Sequence, residues 1–486
     1  MKGLQIRRTT ILSGGLLAVL LGLGFARTGY QLAGAIAILS MLSVSVGLRK
    51  KTLSTLIMIV FCGFLIGWWR GGQYMQRVAP YQDIAMQKVV LRVTAEQDAT
   101  YTDKSQLGFD ATGVQLVEPF RADLPGRVKV EGFGEPAVYR GDVLQVEGKF
   151  FPTRGSRQGS VSFASLEVVG RHSSMMDTLR REFVAGITTA LPEPHASFAL
   201  GILIGQRSTL PQGVCTQLAA VGLTHIIAVS GYNLTIIVRA VRRVGKSRSK
   251  YQTTLLSVGL ILGFLLITGF SASIVRAAIV SMLSLLAWYY GRAFRPVLLL
   301  ALVAAVTALW NPLYLWSDIG WYLSFLAFYG VLVLAPLVQK RLYASKEPKL
   351  IAAVVMETMA AQLMTLPLVL YIFNETSLVA LIGNVLVVPF VPVAMLFSFA
   401  AGLAGMVVPA VSGWVAWPAY IVLTYILDIA GLLARTPHAL IKQALSLTSM
   451  LYWYACLVLI SLVLWRKSRL QTEVERDILK PNEGIS

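Results

Sequence analysis

The sequence predicts an α-helical polytopic membrane protein of about twelve spans, interrupted by a small extracytoplasmic β-barrel. Three observations predict it. Of 486 residues, 56% are hydrophobic and 14% charged, with mean hydropathy +0.66, whereas a soluble domain carries about 25% charged residues. Apolar runs near the ~20 residues that cross a bilayer recur along the chain. Between Gly71 and His172 they give way to short β-branched, alternating stretches.

Taken in order, the N-terminal region (1–70) holds apolar runs at 11–26, 30–48 and 52–69. The start "MKGLQIRRTT" resembles a signal peptide, but further spans follow at once, so the first run is expected to remain as a membrane helix. The insert covers 71–172. Next, 173–191 places Met176, Leu179, Phe183 and Ile187 at helical spacing. That linker helix either lies along the outer membrane surface or packs on the β domain. Nine more runs fill the channel-type region 192–465, at 223–241, 252–270, 274–290, 296–310, 320–338, 350–372, 378–402, 413–433 and 448–465, and a tail covers 466–486.

The net charge of +19 lies in the membrane portions, because the insert holds 12 Lys/Arg against 12 Asp/Glu. With the N-terminus inside, the basic segments 49–51, 242–250, 291–295, 339–349 and 466–469 all become cytoplasmic. Segments 271–273, 311–318 and 374–376 become external. This satisfies the positive-inside rule and puts both termini in the cytoplasm and the insert outside. The basic loops therefore record topology, or receive an emerging polyanion.

Five stretches of the insert read as strands: 88–96, 106–117, 126–133, 142–152 and 159–169, separated by Gly, Pro and Asp. Five short strands in this length suit an OB-fold. "GKFFPTRGSRQGS" supplies Lys149, Phe150, Phe151, Arg154 and Arg157 around a loop between two strands. Aromatic stacking with a positive backbone track is the chemistry of single-stranded nucleic-acid binding. A solvated hairpin with one phenylalanine in the core is the structural alternative.

Intramembrane polar groups are expensive and so mark candidate sites. In the later spans these are His225, Ser230, Asn233, Arg276, Glu357, Gln362, Asn384 and Asp428, with Asp318 near a mouth. Ser230-Gly231 either breaks its helix, exposing N–H groups that attract anions, or is a tolerated packing contact. Arg276 either snorkels to an interface or faces a polar cavity. Pro367, Pro389 and Pro392 predict kinked or interrupted helices.

Catalytic classes find little support. His225 and Ser230 invite an intramembrane serine hydrolase, but five residues apart on a helix they face different directions, and no GxSxG elbow exists. The other histidines and the three cysteines (Cys62, Cys215, Cys456) are scattered without HExxH, HxH or CxxC spacing, so no metal or cofactor is called for. The chain lacks GxxxxGK[ST], so a cytoplasmic translocase or the membrane potential must supply energy. A channel for an anionic polymer, and a transporter of small molecules or lipid-linked sugars, remain as non-enzymatic functions.

"ALGILIGQRSTLPQGVCTQLAAVGLTHIIAVSGYNLTII" (199–237) resembles the corresponding stretch of ComEC-type DNA uptake channels, where Gly-Asp-Arg precedes Gly-Leu-x-His-x-x-Ala-x-Ser-Gly. Blocks 268–283, 311–336 and 360–392 follow in family order. The chain departs from the pattern at Gln206, Tyr322 and Ser230-Gly231-Tyr232-Asn233. The resemblance implies a channel for single-stranded DNA in the bacterial cytoplasmic membrane during natural transformation, with an OB-fold insert outside. By motif match it marks His225, Ser230, Gly231, Arg276, Asp318, Ser324, Gln362, Pro367 and Asn384. It further implies a DNA receptor on the outer face and, since no HxHxDH follows the last span, a nuclease on a separate protein.

Overall fold

A computed structural model describes residues 7–30, 34, 52–101, 106–152, 155, 157–171, 175–206, 209–227, 249–268, 272–291, 295–343 and 350–478. The expected span 30–48 and most of 223–241 lie outside the described residues. The helices are α1 (Arg8–Phe25), α2 (Leu53–Val78), α3 (Met175–Ala190), α4 (His195–Ile204), α5 (Gln212–Ala220), α6 (Lys250–Thr268) and α7 (Ala272–Tyr289). There follow α8 (Pro296–Trp310), α9 (Ile319–Tyr343), α10 (Leu350–Phe373), α11 (Ala380–Val407), α12 (Ser412–Ala434) and α13 (Leu447–Ile478). Among the described residues seven helices are long and apolar enough to cross a membrane; α4, α6, α7 and α8 are apolar but shorter. The chain is a multi-pass membrane protein.

Close backbone approach organises the bundle. A Cβ on Gly22 of α1 would lie 2.0 Å from the Phe64 carbonyl oxygen, and one on Gly67 of α2 would lie 2.1 Å from that of Val19. Only glycine lets the two backbones touch there. Val19 and Leu23 of α1 also pack against Ala304, Ala305 and Ala308 of α8, so the N-terminal helices are part of the later bundle. At the other end of the molecule α4 is enclosed: every residue from Ala196 to Ile204 is buried. At 1.5 Å per residue it is too short to cross a bilayer and forms an internal post. Gly205, in the left-handed region at φ 76°, ends it.

The prolines act unequally. Pro389 sits in a 3₁₀ turn (Val388–Phe390) inside α11, with Pro392 just beyond. The expected interruption is present there. α10 stays helical through Pro367 and is not interrupted there. In α9 a π-turn (Gly330–Leu334) brings Gly330 onto Ala360 of α10, where a Cβ would lie 2.6 Å from the carbonyl oxygen.

The insert contains β1 (Lys88–Ala95), β2 (Thr100–Tyr101), β3 (Leu107–Glu118), β4 (Ala122–Leu124), β5 (Val128–Phe133), β6 (Val143–Pro152) and β7 (Gly159–Gly170). The pairings run β1–β6–β7–β5–β3 and return from β3 to β1; all are antiparallel except β5–β7, which is parallel. Inward residues alternate along the strands, as in Leu144, Val146 and Phe150 of β6. Tyr81, just after α2, stacks on Phe150 with ring centroids 5.5 Å apart.

That packing corrects the expectation for the β6–β7 connection. Lys149, Phe150 and Phe151 stand on strand β6, which runs to Pro152 as expected, and Phe150 is fully buried in the β core, as the hairpin alternative has it. Its ring is unavailable to a base. A Cβ on Gly159 would lie 2.0 Å from its Cζ, so the ring fills the space that glycine leaves open at this position.

The linker helix α3 packs on both the β domain and the helical bundle. Its first turns meet the β domain, with Asp177 3.3 Å from Arg140 and the Arg181 guanidinium 4.7 Å from the Tyr139 ring centre. Its second half packs on α11, with Phe183 and Phe399 rings 5.5 Å apart. A Cβ on Gly405 would fall 2.0 Å from the Gly186 carbonyl oxygen.

Phe150→Ala should cost the β domain about 3–5 kcal/mol, read as a lower unfolding midpoint of that domain in urea. Gly405→Leu should force α3 off α11 at a cost of about 1–3 kcal/mol, read as a lower melting temperature in detergent and loss of a 183–399 cysteine cross-link.

Candidate functional site

The loop between α8 and α9 is wound tightly. Asn311 accepts the Leu313 N–H through its side chain at 3.1 Å, a short helix (Leu313–Ser317) follows, and Asp318 caps α9 by accepting the Trp321 N–H at 3.3 Å. This winding aims a row of side chains at the β domain. Trp316 donates to the Leu23 carbonyl at 2.9 Å and stands edge-on to Tyr74, while the Ser317 hydroxyl donates to the Gly155 carbonyl at 2.5 Å. Gln158 donates to the Tyr74 hydroxyl at 2.8 Å and accepts the Arg127 N–H at 2.7 Å. The β6–β7 connection is thus tied to α2 and to the 311–318 loop.

Charges collect at this junction. On the β-domain side Arg127 pairs with Glu96 at 2.6 Å and Arg157 with Asp110 at 2.7 Å. Burial pushes the Glu96 carboxyl up, against the opposing pull of Arg127. On the helical side lie Arg276 of α7 and Asp318. Tyr314 feels all of Arg127, Arg276, Asp318 and Glu96, and burial holds its phenol above the usual range. Arg157, a candidate DNA contact, is held by a carboxylate in this structure.

Arg276 is only 2% exposed. Its Nη2 donates to the Gly320 carbonyl at 3.1 Å, but among the described residues Nε and Nη1 are buried without a partner. The side chain therefore faces the protein interior. A guanidinium carries five N–H donors and keeps its charge, so the unmet donors make this an anion-seeking site.

Further polar atoms lie unmet within the bundle. Side-chain amide oxygens of Gln206, Gln362 on α10 and Asn384 on α11 are buried and lack hydrogen-bond partners. Ser324 on α9 and Glu357 on α10 are half-buried. His225 is exposed on a short helix (Thr224–Ile227), its Nδ1–H donating to the Gly222 carbonyl at 3.1 Å. Gly222, at φ 73°, rests that segment on Ala380 at the start of α11. Ser230, Gly231 and Asn233 lie outside the described residues, as does Arg154. Lys149 is exposed, its ammonium 5.7 Å from the centre of the half-buried Phe151 ring. Among the described residues no group of three His, Cys, Asp or Glu side chains is placed to hold a metal ion.

The structure thus brings Arg276 and Asp318 together at one junction and adds Tyr314, Ser317 and Gln158. The uncharged members of that group carry no signal in composition or periodicity.

The family model described as Competence protein matches residues 202–468. The ComE operon protein 3 of Bacillus subtilis (strain 168) is 26% identical over 230 residues, which are 46% of this chain and 28% of that relative. No solved structure matches. With more than half of its length matched by the family model, and an apolar helical bundle around those residues, the chain belongs to the competence protein family.

Proposed function

We propose that this protein is a non-enzymatic DNA-uptake channel. One strand of DNA enters through the β domain, passes the Arg276 junction and crosses the bundle of the bacterial cytoplasmic membrane. The observation that carries the reading is the buried Arg276 guanidinium with two unpartnered nitrogens, set beneath the β domain. Buried guanidinium donors left unmet are costly, and a phosphate oxygen is their natural complement. Beyond it, the amides of Gln206, Gln362 and Asn384 offer neutral groups that exchange with water as a polyanion moves past.

The β domain supports the same route. Its ring of pairings, with the parallel β5–β7 contact, is the strand order of an OB-like barrel, a fold used on oligonucleotides. The distribution of basic loops supports an external β domain, cytoplasmic termini and about twelve spans. On this reading a cytoplasmic translocase pulls the strand, a receptor delivers it outside, and a separate nuclease removes its complement.

Arg276→Gln removes one charge-assisted contact, worth about 1.5–3 kcal/mol, and should lower transformation about 10–100-fold at unchanged membrane abundance. Uptake of labelled DNA should fall in parallel. Wild-type transformation by this variant would refute the route.

A further inference from the structure

We infer that the outer face of β5–β7, built around Phe133 and Phe163, is a stacking platform for unpaired nucleic-acid bases. The inference rests on the channel reading above and locates the first contact of the strand with the protein. Phe163 lies on β7 at φ 55°, the left-handed region that a bulky side chain rarely adopts. The cause is a register irregularity on both sides of it. β5 pairs Val130 with Val161 and then Gly132 with Ala164, and β6 pairs Lys149 with Ser162 and then Glu147 with Ser165. One extra residue sits in β7 against both neighbours. Inward positions before the bulge are Gly159 and Val161, and after it Ala164 and Leu166. Strict alternation would send Phe163 into the core; the bulge turns it out, 65% exposed.

Phe133 is 47% exposed on the same outer face and pairs with Ser165, two residues from Phe163. Diagonal neighbours of this kind lie roughly 7–8 Å apart, within reach of successive splayed bases. Polar residues fill the surroundings. Ser160, Ser162 and Ser165 face outward along β7, and Ser162 donates to Glu131 at 3.3 Å, whose carboxylate Lys129 neutralises at 2.5 Å. Lys149 stands opposite Ser162 and Phe151 opposite Ser160. The row Phe133, Phe163, Lys149, Phe151 thus descends the face toward Gly155, which is bonded to Ser317 at the junction. Aromatics interleaved with lysine and hydroxyls, on a line leading to a buried guanidinium, suit an unpaired anionic strand. A lipid surface or an apolar protein partner would not need the serines and lysines between the rings.

The test uses the full-length protein in lipid nanodiscs and a fluorescent oligothymidylate at low salt. Each of Phe133→Ala and Phe163→Gly should weaken binding about tenfold, and Phe163→Trp should retain it. Glycine tolerates the left-handed conformation, so Phe163→Gly should leave the melting temperature equal or higher; a merely structural phenylalanine would lower it. Unchanged affinity in the double variant overturns the platform, as would absence of oligonucleotide binding by the wild type. Transformation of the Arg276→Gln strain reports on the channel reading separately. Loss there, with unchanged oligonucleotide affinity in the phenylalanine variants, would leave the channel standing without this platform.

Discussion

A guanidinium in an apolar bundle cannot shed its charge, and most of the junction is arranged around that constraint. Arg276 donates one bond to the Gly320 carbonyl, in the first turn of α9. Asp318 caps that turn and contributes the compensating charge. For the cap to form, the loop from Asn311 must tighten into the Leu313–Ser317 turn. That in turn presents Tyr314, Trp316 and Ser317 to α2 and the β domain. Placement of α7, α9 and the insert is thus coupled through one side chain.

The β domain is held at three independent points. Ser317–Gly155 and Gln158–Tyr74 fasten the β6–β7 connection, and Asp177–Arg140 with Arg181–Tyr139 fastens the far side through α3. The second half of α3 then meets α11 through glycine-to-backbone contacts that leave no slack. Individual polar links of this kind are worth about 1 kcal/mol each. Their effect lies in geometry: the insert is oriented relative to the helices and does not swing on a linker.

Much of this was legible in the sequence and some was not, for definite reasons. The strands and most helices follow from hydrophobic period, since lipid and the β core impose simple patterns. Arg276 could be flagged as expensive, but only tertiary packing decides between snorkelling and burial. Which of Phe150 and Phe151 enters the core was legible, since Phe150 shares parity with Leu144 and Val146 on β6. Phe163 was invisible for the opposite reason: a bulge breaks parity, and parity was the only guide. The role of α3 depended on Gly186, Gly402 and Gly405, glycines more than two hundred residues apart that no local pattern relates.

The charges of the junction also bear on how a strand would move. Arg127 and Arg157 are each matched by a carboxylate, so a phosphate gains there only what it wins in competition with Glu96 and Asp110. Among the described residues Arg276 keeps two buried nitrogens without a partner, and the side-chain amide oxygens of Gln206, Gln362 and Asn384 are likewise unmet. Tight binding at every step would arrest a polymer, whereas weak and repeated contacts let it advance. On the proposed route, the unsatisfied Arg276 between these balanced pairs would give an entering strand a firm hold, and neutral amides would leave later steps shallow enough to be crossed by a modest pull.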